Sequence, residues 1–174
     1  MTAGAALRIA LLLFVVTILQ VSAFSSITVS GAGPDVLLVT LVSIGLLRGA
    51  ITGAVAGFAA GLVVDAATLG TLGFTALLLT LAGYWAGRYG ETTGRSRAHA
   101  PLVATVAVTA LVELGGYGLY SLLGETVAPR EVLVVLPSAV AWNALLVYPV
   151  FAFVRRLVGT TERVERAQDV ELLV

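Results

Sequence analysis

Residues 45–65 read Gly45-Leu46-Leu47-Arg48-Gly49-Ala50-Ile51-Thr52-Gly53-Ala54-Val55-Ala56-Gly57-Phe58-Ala59-Ala60-Gly61-Leu62-Val63-Val64-Asp65. Glycine returns every fourth residue, at 45, 49, 53, 57 and 61, and Asp65 takes the next place in the same register. Positions at that spacing lie along one face of a helix. A face without Cβ atoms is a groove into which a second backbone can pack by dispersion. Gly45 falls either in the ladder or in the turn before it, which leaves Gly49, Gly53, Gly57 and Gly61 as its firm members. Whether residues 35–66 form one helix or two decides the topology. A single helix of that length reaches about 48 Å, against about 30 Å of hydrocarbon in a bilayer. As two helices both are short, the run before Arg48 being about 18 Å long.

The surrounding chain makes lipid its solvent. Of 174 residues, 59% are hydrophobic and 11% charged, and the mean hydropathy is +1.02. Soluble domains carry about 25% charged residues. The apolar runs are too long to be buried in one small core. Formal net charge is zero, so no global field attracts nucleic acid. Every basic residue is Arg, and the absence of Cys excludes disulfides, thiolate metal sites and thiol catalysis. His99 stands in a charged connection beside Arg95 and Arg97 and reads as a solvated loop residue.

The runs are Ile9 to Phe24, Val36 to Leu47, Gly49 to Val64, Leu72 to Ala86, Pro101 to Leu123 and Val132 to Val154. The first has the outline of a signal peptide, with Arg8 ahead of it and Val21-Ser22-Ala23 behind. Gln20 in its last turn suits a retained, packed helix better. Pro34 is expected at the first helical position of the second run, with Asp35 in its first turn. Six crossings with a cytoplasmic N-terminus put Arg8, Arg48, Arg88, Arg95, Arg97, Arg155, Arg156, Arg163 and Arg166 inside and leave only Arg130 outside. Five crossings would split the arginines between the two sides. The expectation is an all-α integral membrane protein of the bacterial inner membrane. Residues 1–156 form a single domain of six transmembrane helices with short loops, both termini are cytoplasmic, and 157–174 form a short tail. The short second run either crosses with little tilt, shielded by neighbours, or enters the bundle as a re-entrant segment.

Three features could carry function. The glycine groove packs either against its own bundle, the plainer reading, or against another chain. Asp35 and Asp65 fall at the outer ends of their runs, where the plain readings are helix capping for Asp35 and interfacial solvation for Asp65. The functional reading makes them an outer docking surface together with Pro34, and Phe58 is a further candidate for partner binding or packing. On that reading, Asp35→Ala spares insertion and weakens partner binding. Glu113 lies near mid-membrane among Gly115, Gly116 and Gly118, where an ionisable group is costly and needs a partner. Asn143, Tyr117 and Tyr148 are the candidates, either for structural bonding or as the lining of a small-molecule pocket in a transporter component. No phosphate loop, zinc spacing, nucleophile elbow or nucleic-acid signature occurs. No catalytic residue, metal site or cofactor is expected.

The order Gln20-x-Ser22, Gly33-Pro34-Asp35-x-Leu37-Leu38, Gly49-x-x-x-Gly53-x-x-x-Gly57-Phe58-x-x-Gly61-Leu62-x-x-Asp65, Leu72-Gly73 and Gly83-Tyr84 resembles the rod shape-determining MreD family. These motifs reach to about residue 88, and beyond them the resemblance is one of hydropathy and span number. It implies a non-enzymatic scaffold or regulator of the cell-elongation (rod) complex, supporting peptidoglycan synthesis and cell shape. The implied partners are the bitopic protein MreC, the actin-like MreB, and the elongation transpeptidase and glycosyltransferase. The family's architecture is similar to that of the membrane-embedded substrate-binding components of energy-coupling-factor transporters.

Overall fold

A computed structural model describes residues 3–22, 32–93, 99–125 and 129–158. The expected tail beyond Val158, the connection carrying Arg95 and Arg97, and the small polar residues before Ala32 lie outside the described residues. Each of the six apolar runs forms a helix: α1 Ala3–Ser22, α2 Val36–Arg48, α3 Ala50–Thr68, α4 Phe74–Thr93, α5 Ala100–Leu122 and α6 Pro129–Val158. Among the described residues four segments are long and apolar enough to cross a membrane, namely Gly4–Ser22, Ala50–Thr68, Ala100–Leu122 and Val132–Val158. Helix α2 is apolar but short. Helix α4 runs past the expected end at Ala86 and takes Arg88 and Glu91 into its last turns. Helix α6 is likewise longer than expected, with Pro137 and Pro149 inside it.

The two-helix reading of residues 35–66 holds, and the break is sharp. Gly49 alone separates α2 from α3, with φ of 95°. That backbone region is costly for any residue with a Cβ, so only glycine makes this corner without strain. The ladder is therefore divided: Gly45 belongs to α2, Gly49 is the corner, and Gly53, Gly57 and Gly61 belong to α3.

Helix α2 is the core of the molecule. Every residue from Leu37 to Leu47 is buried, and the other five helices all touch it. A helix that is apolar all round belongs in an interior. At 13 residues it spans about 20 Å, so its N-terminus stops within the bundle.

The tightest seam joins α3 to α4, antiparallel, and glycines on both helices make it. A Cβ on Gly53 would stand 2.2 Å from the Gly83 carbonyl oxygen, one on Gly57 2.1 Å from the Leu79 carbonyl oxygen, and one on Gly61 2.3 Å from the Ala76 Cα. From the other side, a Cβ on Gly83 would lie 2.1 Å from the Gly53 oxygen, and one on Gly87 2.4 Å from the Ala50 Cα. Backbone meets backbone along the whole seam, so no flexible side chain can move aside. The glycine groove thus faces its own bundle.

Gly57→Ala must push α3 and α4 apart and is expected to cost about 1–3 kcal/mol, the usual range for overpacking. Gly118→Ala, where nothing lies within 4 Å, should be neutral or stabilising by up to about 1 kcal/mol. Thermal unfolding of the two purified variants in detergent measures the contrast.

Candidate functional site

A helix that begins inside a bundle leaves N–H groups pointing where water does not reach, and protein groups must satisfy them. Around the start of α2, side chains from three helices and the intervening chain do so. Asp35 is the N-cap, its carboxylate accepting from the Leu38 N–H at 2.8 Å. Gln20 of α1 accepts from the Val36 N–H at 3.0 Å and donates to the Pro34 carbonyl at 3.2 Å. Asn143 of α6 accepts from the Asp35 N–H at 3.0 Å and donates to the Thr109 hydroxyl of α5, also at 3.0 Å. Asn143 and Thr109 are 1% and 0% exposed and lie near the middles of their helices, so the node sits deep in the bundle. Pro34 is not the first helical residue, as expected from sequence, but precedes the cap. Its carbonyl is what ties it to α1.

Asp65 is buried, at 2% exposure, which corrects the expectation of an interfacial, solvated acid. Its carboxylate accepts from the backbone N–H groups of Gly73 at 2.8 Å, Thr75 at 3.0 Å and Ala76 at 3.3 Å. It belongs to α3 and caps the start of α4. At the opposite end of the same pair, Glu91 of α4 accepts from the Ala50 N–H at the start of α3, at 2.9 Å, and pairs with Arg88 at 3.2 Å. Sequence reasoning missed Glu91 as a cap, and it missed Gly87 and Gly90. The recurrence of Gly83, Gly87 and Gly90 in the fourth run was the available signal.

The expected outer surface of Pro34, Asp35 and Asp65 is therefore not one patch. Pro34 and Asp65 are buried and Asp35 is engaged at α2, whereas Phe58 is exposed on α3 in a stripe with Ile51, Val55 and Leu62. Nor do Glu113 and Asn143 share a pocket. Asn143 serves α2, while Glu113, half-buried, lines a groove of about 310 Å³ with Tyr117, Phe74, Leu78 and Val135. Gly116 lies in the same groove, and Tyr148 does not line it. Among the described residues no group of His, Asp and Glu side chains could hold a metal ion.

The family model described as rod shape-determining protein MreD matches residues 3–158. The match continues well past residue 88, where the recognisable sequence motifs end. No curated protein and no solved structure matches.

Asn143→Leu leaves the Asp35 N–H and the Thr109 hydroxyl without partners and is expected to destabilise by about 1–3 kcal/mol. Thr109→Val removes one bond and should cost about 0.6 kcal/mol, a typical value for an interhelical bond in a membrane protein. Asp35→Ala is now a test of the fold, with an expected loss of about 1–2 kcal/mol from the missing cap. Thermal unfolding in detergent ranks the three variants, and equal stability of Asn143→Leu and wild type would refute the capping role.

Proposed function

Because this chain belongs to the rod shape-determining MreD family, a family of membrane proteins that acts in cell shape, we propose that it is a non-enzymatic scaffold of the cell-elongation complex. In this reading it sits in the bacterial inner membrane, holds an MreC-like bitopic protein, and supports peptidoglycan synthesis alongside MreB and the elongation transpeptidase and glycosyltransferase. The observation that carries it is the use of the polar side chains at the helix starts. Gln20, Asp35, Asp65, Glu91 and Asn143 each bond backbone at a helix start. Their chemistry goes into making a rigid body, which is what a scaffold offers its partners.

The arrangement of arginines supports the orientation in this proposal. The Arg48 guanidinium bonds the Val158 carbonyl, which brings the C-termini of α2 and α6 together. That places Arg48, Arg155 and Arg156 at one end. Arg88 joins them, since its partner Glu91 caps the start of α3 beside the corner. Helix α1 runs opposite to α2, with Gln20 at the start of α2, so Arg8 falls toward the same end. By the positive-inside rule that end is cytoplasmic, with 1–156 as one membrane domain and the tail inside. Helix α2 then enters the bundle from within the outer half and exits at the cytoplasmic face. A bundle of this kind is similar in plan to the substrate-binding components of energy-coupling-factor transporters. The small-molecule alternative, with Glu113 and Asn143 lining one cavity, has no support in the placement of those two side chains.

Depletion of the protein in a rod-shaped host should give rounded cells. Co-expression with the MreC-like protein encoded by the same host should give a complex that survives purification in mild detergent. Rod-shaped depleted cells, or purification of the chain free of that partner, would contradict the scaffold reading.

A further inference from the structure

Among the described residues Glu113 is the half-buried carboxylate that the fold leaves without a bond; Glu125, also without one, is exposed. Asp35, Asp65 and Glu91 all accept backbone N–H groups. Glu113 stands half-buried in the side of the bundle, in the groove between α4, α5 and α6. The described arginines with assigned bonds are engaged elsewhere, Arg48 with the Val158 carbonyl and Arg88 with Glu91. Among the described side chains, no cation answers Glu113 from within the protein.

Its depth decides what can. Glu113 lies about 14 Å along α5 from the Leu122 end, at 1.5 Å per residue. Phe74 and Tyr120, in tilted contact with ring centroids 4.3 Å apart, line the groove toward that rim. A lipid headgroup held at the interface does not reach that far down. An acyl chain would fill the apolar walls but leave the carboxylate unanswered, at the cost that makes ionisable groups rare in membranes. A neighbouring groove of about 270 Å³, lined by Trp85, Tyr89, Val103 and Leu111 among others, has no such group and suits lipid. Beside the groove α5 and α6 expose Leu114 and Val134, so an occupant that arrives through the plane of the membrane meets apolar surface there.

We infer that the α4–α5–α6 groove seats the transmembrane helix of the bitopic partner, and that this helix presents a cationic or hydrogen-bond-donating side chain to Glu113. Charge complementarity sets the register of the partner helix. The inference rests on the scaffold reading and names the surface that reading leaves open.

The test is a photo-crosslinking amino acid placed at Tyr117 or Val135 in the groove, or at Phe14 on exposed α1 as control, in membranes that contain the co-expressed MreC-like partner. Cross-links to the partner's transmembrane segment are expected from the two groove positions and not from Phe14. Glu113→Leu should lower their yield by about threefold to tenfold, the range for losing one interhelical hydrogen bond of about 0.6–1.4 kcal/mol. The same variant purified alone should melt at the wild-type temperature or above, because Glu113 holds nothing in its own chain. Glu113→Gln, which keeps an acceptor, should lose less. Cross-links only to lipid, equal yield from Phe14, or an unchanged yield in Glu113→Leu would each overturn the inference and leave the scaffold reading standing if the complex still co-purifies. A lowered melting temperature of the isolated Glu113→Leu protein would also overturn it, by assigning the residue to the fold. Failure of wild type to co-purify removes the scaffold reading itself, and the inference with it.

Discussion

A backbone N–H group cannot be left bare in hydrocarbon, and α2 begins where no water can meet that need. Four side chains answer this constraint. Asp35 turns back on its own helix, Gln20 reaches across from α1, and Asn143 arrives from α6 with Thr109 behind it. Each of these side chains comes from a different part of the chain, so satisfying one short helix fixes the positions of α1, α5 and α6 at once. The apolar sides of α2, buried from Leu37 to Leu47, then supply the surface against which the bundle closes. Polar bonds at one end set where α2 stops, and packing along its length sets what surrounds it.

The second constraint is distance. Lipid offers helices no hydrophobic gain for leaving it, so association depends on close contact and directed bonds. Glycine on both sides of the α3–α4 seam gives the first, and the carboxylates at its ends give the second. The two devices work on different helices. The short α2 is held by its polar end and its apolar surroundings, while the longer α3 and α4 are held by proximity.

Much of this was legible in the sequence, and what was not has a physical reason. Helix number and order followed from hydropathy and arginine placement, because a membrane imposes a length on apolar runs. The ladder was legible because its spacing is local, though its partner face on α4 also had a local signature that the reading passed over. The caps were not legible. The Ala50–Glu91 bond joins residues 41 apart and the Asp35–Asn143 bond residues 108 apart, and no periodicity records such pairs. Asp65 shows the same limit from another direction. Its place in the glycine register was plain, but not that the α3–α4 turn would fold back and bury it. Glu113 was recognisable as unusual from its depth alone, yet not that Asn143 would be committed to the start of α2 and Thr109 instead.

The reciprocal caps on α3 and α4 have a mechanical consequence. Asp65 holds the start of α4 and Glu91 holds the start of α3, so the hairpin is latched at both ends across a seam with no slack. Sliding one helix past the other by a single residue, about 1.5 Å, would open both latches together and drive backbone into backbone between them. The pair therefore behaves as a strut, stiff along its axis. Force applied at one face of the membrane therefore reaches the other through this pair without loss of length.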